Sequence, residues 1–421
     1  MFAMNKKVVA GCAATVAAVG LVVGAPTVAS ADPATDPGAD VLVFTGSDTI
    51  QDVVGGFAAD YPSYLASFDA TGLPEDVVLR SGASAVLRPN GSTNGLRSLR
   101  AAAEPGSYTW DGGNIADQVD IARSSSGYNL TTSSDLAYVP FALDAVTYAT
   151  ASTALVPTDI PLGSGIGQDT DDDLIPDLTL RNIWGYDNGD LSTITLEDDF
   201  GDLYTVGVQG SGADIVPFVP QAGSGTRSFW QTTIGSFSRL TSQFFTYSAT
   251  ETECETENPI VVIDNVEYPT WASGTCTVAA QEHNGKVTAE VANAAVPFSI
   301  AQHIAQTNHS TTGVVDRRSG AVLRNVNGVA PTSSGVLNTS FPITRNVYLV
   351  AETARLTAAT PGDLNTARLQ KFLLDDENPG DAYDVSTVPF VGDLGTTIQE
   401  FGFGTVSSVG TIAGYRNYGS F

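Results

Sequence analysis

Short apolar runs alternate along this chain with longer amphipathic ones. Runs typical of buried strands occur at 41–44, 121–122, 146–149, 215–219 and 347–350. Runs with the spacing of a helix face occur at 50–59, 96–103, 229–233, 301–306 and 366–374. The alternation of the two kinds of run predicts an α/β architecture with mixed sheets.

Polar loops lie where these runs begin or end. Four of them, at 46–49, 88–92, 120–126 and 221–227, are rich in Gly, Ser, Thr, Asn and Asp. In α/β proteins, ligands bind beyond the carboxyl ends of the strands. We therefore expect the four loops to form one binding site.

The loop 221–227 indicates the chemistry of that site. Gly223 and Gly225 allow the backbone to approach a ligand closely, and Ser224 and Thr226 add hydroxyl groups. The helix predicted to follow supplies unpaired N–H groups and the positive end of a dipole. Together these features predict a seat for a small oxyanion. An ordinary Gly-Ser turn is the alternative.

The other loops supply further candidate ligand-binding residues. They are Ser47, Asp48, Thr49, Ser92, Ser124 and Ser125. Monohydrogen phosphate carries a proton and needs an acceptor, whereas sulfate does not. Besides Asp120, Asp48 is the only carboxylate in the four loops, so we predict that it is this acceptor. The alternative for Asp48 is a helix N-cap.

The N-terminus has the pattern of a secretory signal peptide, which we place at 1–31. Lys6 and Lys7 precede an apolar run at 8–24, and small residues at 29–31 fit a cleavage site. Cys12 precedes nearly all of that run, so it does not fit a lipoprotein cleavage site, and we expect a secreted protein without a lipid anchor. No other segment predicts a membrane span. Residues 32–40 are rich in Pro, Ala and Asp and are predicted to be a disordered leader.

Two cysteines remain after removal of the signal, Cys254 and Cys276. An even pair in an exported chain predicts a disulfide, with two buried free thiols as the alternative. The segment 251–278 that contains them is predicted to be a surface insertion.

The net charge is strongly negative, −27 at pH 7. A surface of this charge argues against nucleic acid and anionic membranes as partners. It does not exclude a small buried anion, because local dipoles and hydrogen bonds hold such a ligand.

A second predicted insertion, 162–178, contains a possible calcium loop. Asp169, Asp171, Asp173 and Asp177 occupy positions 1, 3, 5 and 9 of a calcium-type loop, a spacing also found in thrombospondin type-3 repeats. Leu174 replaces the usual turn glycine, and Leu180 replaces the bidentate Glu of an EF-hand. The alternatives are a structural calcium ion and a solvated acidic turn. No other cofactor is expected.

Catalytic motifs are scarce. A serine hydrolase would require His283, His303 or His309 to reach Ser224 or Ser47, and the loop around Ser224 lacks the Gly-x-Ser-x-Gly pattern because Ala222 occupies the first position. The sequence therefore predicts a binding protein and not an enzyme.

The four loops, in this order, resemble those of the phosphate-binding protein of the phosphate ABC transporter. The resemblance includes 46–49, 90–92, 120–125 and 223–226, the Leu-Thr-Leu segment at 178–180 followed by Trp184-Gly185, and the strand-like stretch 341–350. It covers most of the mature chain. It implies a two-lobe type II periplasmic-binding-protein fold with mixed sheets, two chain crossings that form a hinge, and the ligand in the cleft.

The implied lobes are 41–141 plus 342–421 for lobe one and 142–341 for lobe two. The sequence departs from the family at three positions of the site. Ser125 stands where the family has an Asp that accepts the proton of monohydrogen phosphate, Pro220 stands where it has an Arg, and Ala222 stands where it often has Asp. Arg88, Arg123 and Arg227 are the candidates for the missing cation.

These observations predict a monomeric, secreted solute-binding protein for a small oxyanion, phosphate being favoured, that serves an ABC transporter permease. The first alternative is an extracellular anion scavenger or cell-wall binding module without transport. The second is the serine hydrolase.

Overall fold

The computed structural model describes residues 32–72, 74–189, 192–257, 261–263, 266–376 and 382–420, so the predicted signal peptide lies outside the described residues. The strands of these residues are β1 Leu42–Gly46, β2 Leu65–Ser67, β3 Asp76–Val77, β4 Val86–Leu87, β5 Ile121–Ser124, β6 Leu136–Ala151, β7 Thr193–Glu197, β8 Leu203–Gly207, β9 Val216–Pro217, β10 Phe244–Ser248, β11 Val261–Ile263, β12 Val266–Tyr268, β13 Thr270–Ala272, β14 Thr275–Ala279, β15 Ala294–Ser299, β16 Ala321–Leu323, β17 Thr332–Ser333, β18 Val336–Leu337, β19 Thr344–Glu352 and β20 Gly414–Arg416.

The α-helices are α1 Gln51–Asp60, α2 Gly91–Ala103, α3 Leu180–Gly185, α4 Gly225–Ile234, α5 Glu251–Glu257, α6 Lys286–Glu290, α7 Ile300–Thr307, α8 His309–Thr312, α9 Thr353–Leu356, α10 Leu364–Leu374 and α11 Gly395–Glu400. Short 3-10 helices lie at Asp48–Ile50, Val391–Leu394 and Tyr418–Ser420. Within the described parts of the chain, no helix is long and apolar enough to cross a membrane.

One large mixed sheet organises the fold. Its strand order is β2-β1-β5-β19-β6-β15-β9, and β16 and β20 also pair with β6. Strand β1 runs parallel to β2 and β5, whereas β19 is antiparallel to both β5 and β6. The predicted α/β class with mixed sheets is confirmed.

Several groups of packed apolar side chains cover the sheet, and the two largest among the described residues are called core A and core B. Core A surrounds β1, β5 and α10 and includes Phe44 and Phe372, whereas core B surrounds α3, α4 and β15 and includes Trp184 and Trp230. Strand β6 runs through both cores, because Ala142 packs in core A and Ala145 in core B. Strand β19 also enters core A, and Ile343, just before it, packs in core B. The chain therefore passes between the cores in two adjacent antiparallel strands, which is where a hinge would lie.

Helix α7 lies between the two cores. Its residues Ala301 and Ala305 pack in core A, while Ile300 and Ile304 pack in core B. A helix can bury two of its sides against different partners when both sides carry apolar side chains. Whether the two cores move as the two predicted lobes stays a prediction.

The segment 32–40 differs from the prediction of a disordered leader. Asp32 pairs with Arg88 through two bonds of 2.6 and 2.8 Å, and Arg80 donates to the carbonyl oxygen of Gly38 at 2.7 Å. Charge-assisted hydrogen bonds from arginine to these oxygens hold the segment in place, although it has few apolar side chains to bury. The leader therefore packs on the protein although it forms no helix or strand.

The predicted disulfide is present between Cys254 and Cys276, whose Cα atoms lie 5.6 Å apart. Cys254 lies on α5 and Cys276 on β14, and both sulfur-bearing side chains are buried beside Phe218 and Phe245. The predicted surface insertion is therefore partly buried, because β14 pairs with β10 and packs with Phe218 and Phe245 in an apolar cluster separate from core B.

Candidate functional site

Three of the predicted loops meet through their serine hydroxyl groups. Strand β1 ends at Gly46, β5 ends at Ser124 and α2 begins at Gly91, which places the following or neighbouring side chains at one edge of the sheet. Ser47 Oγ lies 3.0 Å and Ser92 Oγ 3.3 Å from Ser125 Oγ, and the backbone N–H of Ser125 donates to Ser92 Oγ. The side chains are buried, so the hydroxyl groups face one another and not bulk solvent.

Thr49 connects this group to the fourth loop. Its Oγ1 lies 3.0 Å from Ser125 Oγ and 3.3 Å from Thr226 Oγ1, which lies in the first turn of α4. The same oxygen lies 3.0 Å from Glu282 Oε1 and 2.9 Å from His283 Nε2. Residues that are far apart in sequence therefore converge on one threonine oxygen.

The N-terminus of α4 has the geometry that its sequence predicts. Ser224 is the N-cap residue, and its side chain accepts from the backbone N–H of Arg227 at 2.9 Å. The backbone N–H of Thr226 donates to Glu282 Oε1 at 2.9 Å. An internal carboxylate thus lies where the sequence predicts an oxyanion, and it receives the same type of bond.

The glycines of the fourth loop permit a very close approach. A Cβ atom on Gly225 would lie 2.2 Å from Ser125 Oγ and 2.3 Å from Ser92 Oγ. A Cβ atom on Gly91 would lie 2.5 Å from the carbonyl oxygen of Gly223, which has a φ of +83°. The fourth loop is therefore in direct contact with the second and third loops, and only glycine fits at positions 91 and 225.

Ser124 is the predicted site residue that the structure places elsewhere. Its Oγ donates to the carbonyl oxygen of Ser126 at 2.9 Å and lies 3.2 Å from Ser126 Oγ. The Ser124 hydroxyl therefore bonds within its own turn and not to the hydroxyl groups around Ser125.

The cation of the cleft is Arg345, on β19. Its guanidinium donates to Thr226 Oγ1 at 2.7 Å and to the carbonyl oxygen of Ser125 at 3.1 Å. Two further bonds, of 3.0 and 2.8 Å, pair it with buried Asp144 on β6. The ring of Phe229 covers it with a centroid distance of 5.3 Å.

None of the three arginines suggested by the sequence takes this position. Arg88 pairs with Asp32, and Arg227 donates to the carbonyl oxygen of Pro220. Arg123 is buried, but it donates to the backbone oxygens of Ser47 and Gly46 and to Ser67 Oγ, so it stabilises the first loop from behind. The spacing of residues along the sequence does not identify Arg345 as this cation, because the pairing of β19 with β6 places it in the site.

Glu282 is the functional candidate that sequence reasoning missed, and its neighbour His283 was considered only as the base of a hydrolase. Both are buried, and they follow β14 in a segment without a recognised motif. His283 has a left-handed backbone, with a φ of +56°. Non-glycine residues with this conformation are uncommon, and an adjacent Glu-His pair before a Gly was the only signal available in the sequence.

The hydrogen bonds of His283 define its tautomer. The backbone N–H of Ser299 donates to His283 Nδ1 at 3.2 Å, so Nδ1 carries the lone pair and Nε2 carries the proton. Burial lowers the pKa of His283, which favours the neutral ring. Nε2–H can donate to Thr49 Oγ1, but it cannot remove a proton from it. His283 is therefore unsuited as the general base of a hydrolase, and Ser47 and Ser224 have the other partners described above.

Asp48 and Glu282 form a pair of buried carboxyl groups beside His283. Asp48 Oδ1 lies 3.8 Å and Glu282 Oε1 3.5 Å from His283 Nε2. Burial, followed by the charge of Glu282, raises the pKa of Asp48 well above its usual value. Burial alone would raise the pKa of Glu282 too, but hydrogen bonds from His283, Asp48 and Thr226 hold it below its usual value. The pair therefore favours a proton on Asp48 and a charge on Glu282.

The predicted calcium loop lies on the surface. Asp169, Asp171 and Asp173 each offer an oxygen, and these oxygens lie within 4.8 Å of one another. Asp177 instead accepts from Gln168 Nε2 at 2.7 Å and from the backbone N–H of Thr170. Glu197, at the end of β7, interacts with Asp171 and Asp173, and burial and these charges raise its pKa. The structure thus brings together three of the four aspartates that are predicted to bind calcium.

Comparison with known proteins gives similarities in structure only. No protein-family model matches the chain, and no curated protein matches it in sequence. A Clostridium perfringens protein solved with bound phosphate is 13% identical with a TM-score of 0.41, and the match covers 87% of this chain and 100% of that one. An ABC-type phosphate transport receptor from Vibrio cholerae is 12% identical with a TM-score of 0.37, covering 87% and 100%. A phosphate binding protein from Stenotrophomonas maltophilia is 12% identical with a TM-score of 0.36, covering 88% and 91%. This chain is therefore similar, over most of its length, to solved phosphate-binding proteins.

Proposed function

We propose that this protein is a secreted solute-binding protein that captures a small oxyanion, phosphate being favoured, in the cleft between cores A and B. Delivery to an ABC transporter permease is part of the proposal. One observation carries it: the hydroxyl oxygen of Thr49 lies 3.0 Å from that of Ser125 and 3.3 Å from that of Thr226, which joins the third loop to the fourth.

The groups around these hydroxyls are mostly donors. The guanidinium of Arg345 donates to Thr226 Oγ1 and to Asp144, and the first-turn N–H of Thr226 donates to Glu282. Both donors thus bind a carboxylate, which has the charge of an oxyanion. The carboxylate of Glu282 stands in for part of such a ligand. Binding therefore requires Glu282 to share or leave the N–H of Thr226, which a rotation about its side-chain bonds allows.

The two carboxyl groups supply what phosphate needs and sulfate does not. A monohydrogen phosphate donates one hydrogen bond, and an acceptor inside the cleft selects for it. We predicted Asp48 as this acceptor. Glu282, whose pKa is held below its usual value, is better suited, because it keeps its charge and can accept.

Calorimetric titration of phosphate and sulfate into the mature protein tests the proposal. Thr226→Val keeps the shape of the side chain and removes its hydroxyl, and we expect a loss of about ten- to a hundredfold in phosphate affinity. Thr232→Val, on an exposed position of the same helix, is the matched control and should bind as the wild type does. Wild-type protein that binds neither anion, or a Thr226→Val variant that binds like the control, would contradict the proposal.

A structural calcium ion at Asp169, Asp171 and Asp173 remains a separate proposal. It is supported by the position of Glu197, which offers the additional carboxylate that Leu180 cannot supply. Its test is given below.

A further inference from the structure

The cleft contains more negative than positive groups. Asp144 is paired with Arg345 by two hydrogen bonds, which leaves Asp48 and Glu282 without an Arg or Lys partner of that kind. Arg317 acts on Asp48 from a distance, but its guanidinium lies nearest to Asp52, at 3.6 Å. His283 is held neutral by the N–H of Ser299. Among the described residues, an oxyanion that enters this cleft therefore meets two acidic groups whose charge the neighbouring arginines offset only from a distance.

The two acidic groups also have oxygen atoms that no other residue binds. Asp48 Oδ1 and Glu282 Oε2 are buried, and apart from each other's carboxyl group they have no hydrogen-bond partner in the described part of the chain. Their side chains are 2% and 0% exposed. Buried oxygens that only a shared proton can satisfy are rare in proteins, and a bound cation can take the place of that proton.

The spacing of the groups suits a single ion. One oxygen each from Asp48 and Glu282 and one nitrogen of His283 lie within 4.8 Å of one another. Two oxygens bound to one Mg²⁺ at about 2.1 Å lie about 3.0 Å apart when adjacent and about 4.2 Å apart when opposite. Small side-chain rotations bring Asp48 and Glu282 into this range. They come from opposite sides of the cleft, so such an ion would hold the cleft closed.

The tautomer of His283 decides the class of the ion. Nε2 carries a proton and cannot coordinate a metal, so the coordinating atoms are carboxylate oxygens only. Such a set suits a hard cation and not zinc or copper, which favour nitrogen and sulfur. Mg²⁺ typically keeps several waters and binds through one or two carboxylates together with the phosphate of a ligand. His283 would then orient Glu282 through Nε2–H, as groups around a metal site commonly do.

We propose that the cleft binds its oxyanion together with a hard divalent cation of the Mg²⁺ class, held between Asp48 and Glu282. This inference rests on the proposed function, because the oxyanion completes the coordination of the ion. The cation converts two repelling carboxylates into part of the recognition of the anion. Without the cation, a proton shared by the two carboxyl groups relieves the same repulsion.

The experiment measures phosphate binding by calorimetry in the mature chain, first in EDTA and then in millimolar Mg²⁺ or Mn²⁺. All proteins carry Asp171→Asn and Asp173→Asn, which remove the surface cluster as a competing cation site. We expect at least tenfold tighter phosphate binding with the cation. In Asp48→Asn and in Glu282→Gln the affinities with and without cation should become equal. A merely structural loss would instead weaken binding under both conditions.

A direct readout uses Mn²⁺, whose electron paramagnetic resonance signal decreases when the ion binds to protein. With phosphate present, the signal should decrease with the reference protein and remain with Glu282→Gln. Equal phosphate affinity in EDTA and in Mg²⁺ would overturn the inference and leave the oxyanion function standing. Absence of phosphate and sulfate binding under every condition would overturn both.

Discussion

Two acidic clusters of this protein differ in almost every physical respect. The surface cluster, Asp169, Asp171 and Asp173, comes from one short loop and is largely exposed. The cleft cluster, Asp48, Glu282 and His283, comes from distant parts of the chain and is buried. Exposed like charges are screened by water and salt, so the surface cluster can exist without a ligand. In the cleft, burial makes each unpaired carboxylate costly, so the chain must supply protons, donors or a bound ion.

The two clusters should therefore respond differently to substitution. Changes in the cleft should alter anion binding, because the groups there contact one another and the proposed ligand. Changes in the surface loop should alter only a local cation equilibrium.

The largest effect is expected for Gly225→Ala. The new Cβ atom would lie far inside contact distance of the Ser92 and Ser125 hydroxyl oxygens, so the cleft could not close. Loss of two hydrogen bonds to a charged ligand corresponds to on the order of a hundredfold in affinity. Calorimetric titration with phosphate measures this loss.

The matched control is Gly395→Ala. Gly395 also occupies the first position of a helix, α11, and a Cβ atom there meets nothing within 4 Å. It should bind phosphate as the wild type does. Unchanged binding by Gly225→Ala would show that the cleft does not need to close on its ligand.

A smaller effect is expected for Glu282→Gln in buffer with EDTA. Removal of the acceptor should lower the ratio of phosphate to sulfate affinity by about tenfold, which is the value of one hydrogen bond to a charged group. The ratio is the useful quantity, because both anions gain equally from removal of the negative charge. Asp48→Asn, measured in the same way, identifies the acceptor: if only that variant changes the ratio, Asp48 has the role predicted from sequence.

The surface cluster should give a smaller effect, confined to calcium. If it binds calcium, millimolar calcium should raise the melting temperature by about 2–4 °C relative to chelator, and Asp171→Asn with Asp173→Asn should abolish the rise. Phosphate affinity in that double variant should equal that of the wild type. A wild-type protein that melts at the same temperature in calcium and in chelator has only an acidic turn at this place.

The smallest effect on anion binding is expected for a partly buried carboxyl group outside both clusters, because its titration acts on stability. Burial, followed by the charge of Asp52, raises the pKa of Asp69 from its ordinary value of 3.8 to about 7. Between these two pH values the folded protein holds a proton that the unfolded chain has lost. Asp69 therefore makes the free energy of unfolding decrease as the pH rises through this window.

Urea denaturation of the wild type and Asp69→Asn from pH 4 to pH 8 measures this contribution. The variant should show a weaker decrease of stability with rising pH, while Asp76→Asn, at an exposed position, should differ from the wild type by a constant amount. Parallel curves for Asp69→Asn and wild type would show that Asp69 titrates alike in both states.

Local sequence determined much of the fold and one half of the site. The apolar runs at 41–44, 121–122 and 347–350 are strands of the main sheet, and Gly225 and Thr226 begin a helix as their pattern predicts. Strand periodicity, N-capping by Ser224 and the disulfide of Cys254 with Cys276 depend on short-range geometry or on an even cysteine count, so a reader of the sequence can recognise them.

Tertiary structure alone decided the charge of the cleft. Arg345 reaches Thr226 because β19 pairs with β6, and Glu282 reaches Thr49 because β14 and the turn after it bring it back to the sheet edge. Neither contact follows from spacing along the chain, since strand pairing joins residues at any separation in sequence. The hydroxyl groups of the loops were therefore predictable, whereas the groups that set their electrostatics depend on which strands lie side by side.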